Sequence, residues 1–245
     1  AGGQMSFLEH LDELRKRIVN ALLAVGAGVI AGFFLIDRIS DFLLAPTRSI
    51  LPPGSKLIYT KPGEAFSFDI QIALIAGAVF AAPVIMYQVW MFIAPGLYAK
   101  EKRMAIPFVV LSTTGFIGGA LFNHYVVFVW MMAFFASFNT PDLVFLPKLD
   151  EVFGLYTKML LGMGLVFQMP TIIYFLAKMK LVTWRFLVRN FKYAILFIFV
   201  AAAVITPSGD MITQSIFAAP MVGLYLVGIV IAWIVGPKGK ATQPS

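Results

Sequence analysis

The sequence predicts an all-α, polytopic membrane protein: a bundle of six kinked transmembrane helices with both termini on the cytoplasmic side. Three observations carry this expectation. Hydrophobic residues make up 60% of the 245-residue chain, only 13% are charged, and the mean hydropathy is +0.88. Soluble domains hold about twice that share of charge. The apolar residues also fall in runs close to the ~20 that cross a ~30 Å hydrocarbon layer, and a backbone in lipid must satisfy its own hydrogen bonds as helix. Finally, cations collect on alternate connections.

Ala1–Gln4, ahead of Met5, read as a cloning remnant, and residues 5–237 as a single bundle. The stretch FLEHLDELRKRI (7–18) leads directly into the first span, about 18–36. Ser6 and Glu9 have the spacing of a capping box. Phe7, Leu8, Leu11, Leu14 and Ile18 share one helical face, and Glu9, Asp12, Glu13, Lys16 and Arg17 the other. Two readings fit that charged face. One is a solvated helix end laced with Asp12–Lys16 and Glu13–Arg17 pairs, contributing a few tenths of a kcal/mol each. The other is a carboxylate site at the mouth of the bundle. Within this span Gly28 and Gly32 form a GxxxG, compatible with close helix contact or with glycine-rich composition alone.

Residues 37–69 connect to a second span at about 70–93, which contains Pro83. The connection APGLYAKEKR (94–103) follows, with Glu101 the sole acid among Lys100, Lys102 and Arg103. A third span runs over 104–124 with an extension to 138. As helix this stretch is about 52 Å long, so it tilts, bends or leaves the bilayer, and Asn123 and His124 fall near the outer interface. After 139–152 comes a fourth span, about 153–177, holding Pro170 and placing Gln168 near the midplane, about 15 Å from both Lys158 and Lys178.

The fifth span, about 193–205, is only about 21 Å from Lys192 to Thr206, less than the hydrocarbon thickness. Its loop is therefore expected to sink into the bilayer. There Thr206, Asp210, Thr213, Gln214 and Ser215 would form a polar notch below the outer surface. The sixth span, about 212–235, carries Pro220, and FAAP occurs at both 80–83 and 217–220. Pro83, Pro170 and Pro220 are expected to interrupt their helices, giving a bent, packed bundle. Residues 238–245 form a cytoplasmic tail.

Orientation follows from charge. With the N terminus inside, thirteen of the 19 Lys and Arg residues lie on inner segments and six (Arg38, Arg48, Lys56, Lys61, Lys148 and Lys158) on outer ones. Among acids, only Glu9, Asp12, Glu13 and Glu101 are inner. Such cations border spans without aromatic platforms, which argues against a nucleic-acid partner. The chain lacks cysteine, and it shows no metalloprotease HExxH, no nucleotide-binding loop and no acid within a span. No catalytic residue, metal or cofactor is expected. An ion-coupled solute transporter is the main rival, but it would show broken helices around a polar midplane site in two related halves. Here Gln168 stands almost alone. Glu13 and Glu101, on the same side of one bundle, could instead grip two guanidinium groups bidentately.

HLDELRKR (10–17), LLAP (43–46), YQVWMFIAPGLYAKEKR (87–103), FQMP (167–170) and TPSGD (206–210) occur in the order and spacing of the TatC family. The chain resembles that family over about residues 5–235. The resemblance implies the polytopic core subunit of the twin-arginine protein translocase, in a cell inner membrane. It implies that Glu13 and Glu101 receive the Arg-Arg motif of folded cargo's signal peptides, with Arg15, Arg17, Phe92, Leu97 and Tyr98 as neighbours. It further implies TatA- and TatB-type single-span partners near the last two helices, several copies in the active complex, and a drive from the proton-motive force. One departure is Gln168, where many family members carry glutamate; glutamine can only hydrogen-bond. The lack of a transit peptide points to a prokaryotic inner membrane rather than a plastid.

Overall fold

Hydropathy and length together place four helices that can cross a membrane unaided: Leu8–Phe34, Ala105–Ala136, Leu149–Lys178 and Met211–Val235. The computed structural model describes residues 7–51, 57–93, 105–140, 145–206 and 210–236. A fifth crossing is the broken pair α3 (Glu64–Phe80) and α4 (Ala82–Ile93), bent by 55°. The apolar helix expected as the fifth span is α10 (Phe191–Ile205), which follows the short α9 (Trp184–Arg189) and is 15 residues long. At about 22 Å it is shorter than the hydrocarbon, as expected for that span. Ser6, the expected capping residue, and residues 207–209 of the loop expected to sink lie outside the described residues.

Helix α1 (Phe7–Phe34) runs from the N-terminal, or proximal, end of the bundle to its distal end. Residues 36–50 fall where hydropathy predicts only a connection, yet they form a second helix, α2 (Ile36–Ile50). Asp37, Arg38, Asp41 and Arg48 dilute its hydropathy, while Leu43, Pro46 and Thr47 are buried on its other face. It is amphipathic rather than spanning, so a length-of-run criterion misses it.

The GxxxG in α1 is a contact. A Cβ on Gly28 would sit 2.6 Å from the Gly77 carbonyl oxygen of α3, and one on Gly32 would lie 3.2 Å from the Ala73 oxygen. Reciprocally, a Cβ on Gly77 would meet the Val29 amide nitrogen at 2.7 Å. Only glycine permits backbones this close, and close approach is what binds helices where apolar burial has no driving force. A similar seam joins α5 (Ala105–Phe122) to α7 (Leu149–Val166), where a Cβ on Gly119 would lie 2.6 Å from the Met163 oxygen.

Two of the three expected proline interruptions occur. Pro83 follows the bend at Ala81, and Pro170 stands at the start of α8 (Met169–Lys178), just after the break at Phe167–Gln168. Each lacks an N–H where the ladder is already cut; at Ala81 the chain bends by 55°, whereas α7 and α8 together remain one 30-residue span. Pro220 departs from expectation: α11 (Met211–Val235) runs through it unbroken. Thr213, Phe217, Ala218, Met221 and Tyr225 form a continuous buried stripe across it, and packing on both sides holds the helix together.

The long third segment is continuous from Ala105 to Ala136, with a π-helical turn at Asn123–Val127 before α6 (Phe128–Ala136). One extra residue per turn rotates the buried face, and it brings Asn123 and His124 inward, 0% and 2% exposed. His124 Nδ1 lies 3.0 Å from the Tyr156 hydroxyl and its ring stacks on Phe42. At the distal end Glu64 ties two loops together. Its Oε2 accepts the Thr60 and Lys61 amides at 2.9 and 3.2 Å, and its Oε1 the Asp150 amide at 3.3 Å. Beside it Leu149 N donates to Ile58 O at 2.9 Å.

Gly77→Val should therefore force α1 and α3 apart and lower stability by about 1–3 kcal/mol, the usual range for overpacking. Thermal unfolding of the detergent-solubilised protein checks this, with Gly26→Val, where a Cβ meets nothing within 4 Å, as the control that stays near wild type.

Candidate functional site: the α1–α4 junction and the broken helix

The proximal site is built by the last turns of α4 against the first turns of α1. In α4, Trp90 points away from the junction into an aromatic cluster, its ring 4.9 Å from Phe108 and 5.8 Å from Phe175 between centroids. At 100° per residue, Gln88 and Phe92 then share the opposite face, and both meet α1. Phe92 stacks on His10 with centroids 4.5 Å apart. Gln88 Oε1 accepts Nη1 of Arg17 at 3.3 Å.

Arg17 in turn binds Glu13, one helical turn earlier. Its Nε donates to Glu13 Oε1 at 2.7 Å and its Nη2 reaches the same oxygen. The two side chains are only 17% and 19% exposed, so this pair is more sheltered than an ordinary solvated i, i+4 bridge. Of the two readings of the charged face, the laced helix end is thus partly realised, through Glu13–Arg17. The same pair also joins a contact between helices, which a solvated end would not need.

Arg15 is two residues from both Glu13 and Arg17, about 200° around the helix. It lies on the exposed side with Asp12, Lys16, Val19 and Asn20, so the structure does not bring it to the Glu13 face. Leu97, Tyr98 and Glu101 lie outside the described residues. Sequence reasoning missed His10 and Gln88. The available signal was a glutamine one turn before Phe92 in an otherwise apolar run; its partner, 71 residues away, had no local mark.

Gln168 sits at the break between α7 and α8, 8% exposed, and its Nε2 donates to the Ser112 carbonyl of α5 at 2.9 Å. It faces a neighbouring helix rather than lipid. Gly115 makes room, since a Cβ there would be 3.0 Å from the Phe167 oxygen. The Ser112 carbonyl has a second lone pair for this amide, which a carboxylate could not donate to unless protonated.

The distal polar residues satisfy themselves locally. Thr206 is buried and its hydroxyl donates to Ala202 O at 2.8 Å. Asp210 caps α11, accepting the Ile212 and Thr213 amides at 3.0 and 2.8 Å, and the Thr213 hydroxyl donates to its other oxygen at 2.7 Å. Gln214 reaches from α11 to the Phe199 carbonyl of α10 (Phe191–Ile205) at 2.7 Å, and Ser215 bonds back to Met211 O. Thr213 is fully buried, whereas Gln214 is half-buried.

Residues 9–220 match the profile of the TatC family, Sec-independent protein translocase proteins. The Sec-independent protein translocase protein TatC of Desulforapulum autotrophicum is 41% identical over 97% of this chain and 87% of its own length. The chloroplastic counterpart of Arabidopsis thaliana is 32% identical over 97% of this chain and 68% of its own. A crystal structure of the twin-arginine translocase receptor TatC superposes with a TM-score of 0.80 at 33% identity, covering 93% of this chain and 99% of that one.

Gln168→Leu should fold and insert, because it removes the hydrogen bond to the Ser112 carbonyl while keeping a side chain of similar size. It should lose about 1 kcal/mol, the scale of an interhelical hydrogen bond in membranes, read as a lowered unfolding midpoint in detergent.

Proposed function

The chain belongs to the TatC family of Sec-independent protein translocase proteins, and from that premise we propose that it is the receptor that reads the paired arginines of signal peptides. It is a multi-pass membrane protein of the translocase, a transport protein rather than an enzyme. In our reading Glu13 and Glu101 each take one guanidinium of the Arg-Arg motif, with Arg17, Phe92, Leu97 and Tyr98 around them and Arg15 at the rim. The observation that carries this is that Glu13 already receives a guanidinium, in a sheltered junction between two helices. A carboxylate held there binds a planar fork through parallel N–H donors, which an ammonium cannot match.

The same proposal places both termini and this junction on the cytoplasmic side of a cell inner membrane. The thirteen-to-six division of cations supports that orientation, and an exported protein would meet this face first. Folded cargo is then handed to TatA- and TatB-type single-span subunits in a complex of several copies, with the proton-motive force as the drive. We propose that these subunits dock beside α10 and the distal end of α11, the region of Thr206, Asp210, Thr213 and Gln214. Gln214 is the group there best placed to exchange its internal bond for a partner's.

Glu13→Ala or Glu101→Ala should weaken binding of an Arg-Arg signal peptide at least about tenfold, the lower part of the range for truncating one side of a desolvated charge pair. Fluorescence anisotropy with the purified chain measures this; Glu9→Ala should change affinity less. Normal affinity in both alanine variants would move the receptor site elsewhere. A photocrosslinker at position 214 should capture a single-span subunit in membranes, and capture of lipid alone would refute that docking site.

A further inference from the structure

One oxygen of the receptor carboxylate is already engaged. Two donors of Arg17 converge on Glu13 Oε1, while the third, Nη1, lies on Gln88 Oε1 of α4. An incoming guanidinium that binds both carboxylate oxygens must therefore compete with one already in place on Oε1, and the displaced Arg17 needs a new partner in a junction that gives it little water. Leaving a guanidinium unpaired there would oppose binding by the full cost of an orphaned charge.

We propose that Gln88 is a positioning residue that takes over Arg17 when a signal-peptide arginine claims Glu13, so that binding is an exchange between two guanidinium groups rather than occupation of a bare anion. This rests on the reading of Glu13 as receptor carboxylate. The geometry suits the role in three ways. Gln88 already holds one arm of Arg17, so the transfer needs rotation about the end of a long side chain, not movement of a helix. Its amide oxygen is neutral, strong enough to keep a guanidinium and too weak to hold it against an approaching carboxylate. And Trp90, locked between Phe108 and Phe175 on the opposite face, fixes the part of α4 that carries Gln88.

Exchange also makes the site selective. Arg17 contacts Glu13 through a fork, so a guest that offers a fork replaces what is lost, whereas a compact ammonium replaces only part of it. Discrimination between arginine and lysine then resides in the resident arginine as much as in the carboxylate.

The test is a double-mutant cycle on the full chain, with a fluorescent Arg-Arg signal peptide as probe. Gln88→Leu should weaken binding about five- to tenfold, because Arg17 then has no partner but Glu13. Gln88→Glu, which gives Arg17 a stronger alternative, should tighten it. With Arg17→Ala as background, Gln88→Leu should have no further effect. An equal loss in both backgrounds would mean that Gln88 touches the peptide directly, and no loss in either would make it packing; both results overturn the exchange. Glu13→Ala is run alongside. Unchanged affinity in that variant overturns the receptor reading itself, whereas a loss there with silent Gln88 variants overturns the exchange alone.

Discussion

Hydrocarbon cannot hydrogen-bond, and that single constraint organises most of the molecule. A polar group left unpaired in lipid costs several kcal/mol, and several polar side chains within the bundle are answered by a carbonyl close by, although Thr47, Thr113, Asn123 and Thr157 are buried without such a partner. Thr206 bonds to Ala202 within its own helix, Gln168 to Ser112 on α5, and Gln214 to Phe199 on α10. Asp210 closes the start of α11 by accepting two of its amides. The glycine seams follow from the same source: without a drive to bury apolar surface, helices gain by bringing backbones together, as Gly28 and Gly77 do.

At the proximal end that rule relaxes. Glu13 and Arg17 are partly exposed and their bond links side chains rather than backbone, so it can be traded. Freeing a polar group from its carbonyl inside the bundle is costly, so exchangeable polar contacts lie chiefly where the bundle meets water. The junction of α1 and α4 is such a place, and it is where we propose the receptor site, while Gln168 is engaged with α5.

The four helices long enough to cross were legible because their apolar runs are long, and the breaks near Pro83 and Pro170 because proline lacks a donor. Residues 36–50 were hidden because Asp37, Arg38, Asp41 and Arg48 lower the average that hydropathy reads, although the amphipathic pattern was present. Pro220 misled for the opposite reason: the local rule was right about the missing bond, and packing along Thr213, Phe217 and Met221 overruled its effect. Glu13 and Arg17 could be paired from spacing alone. His10 with Phe92 and Arg17 with Gln88 could not, since bringing them together depends on the 55° bend and on which way Trp90 faces.

Glu64 has a consequence for the order in which the chain assembles. Its two loop amides, from Thr60 and Lys61, are neighbours in sequence, but its third donor is Asp150, 86 residues onward. A chain made from its N terminus completes α1, α2 and the bent α3–α4 pair long before that donor exists. The glycine-lined pair of α1 and α3 can close as soon as both are inserted, whereas the distal clasp stays half made through the synthesis of the next two helices. Early helices thus commit to one another first, and the third bond of the Glu64 clasp records that α7 has arrived in register.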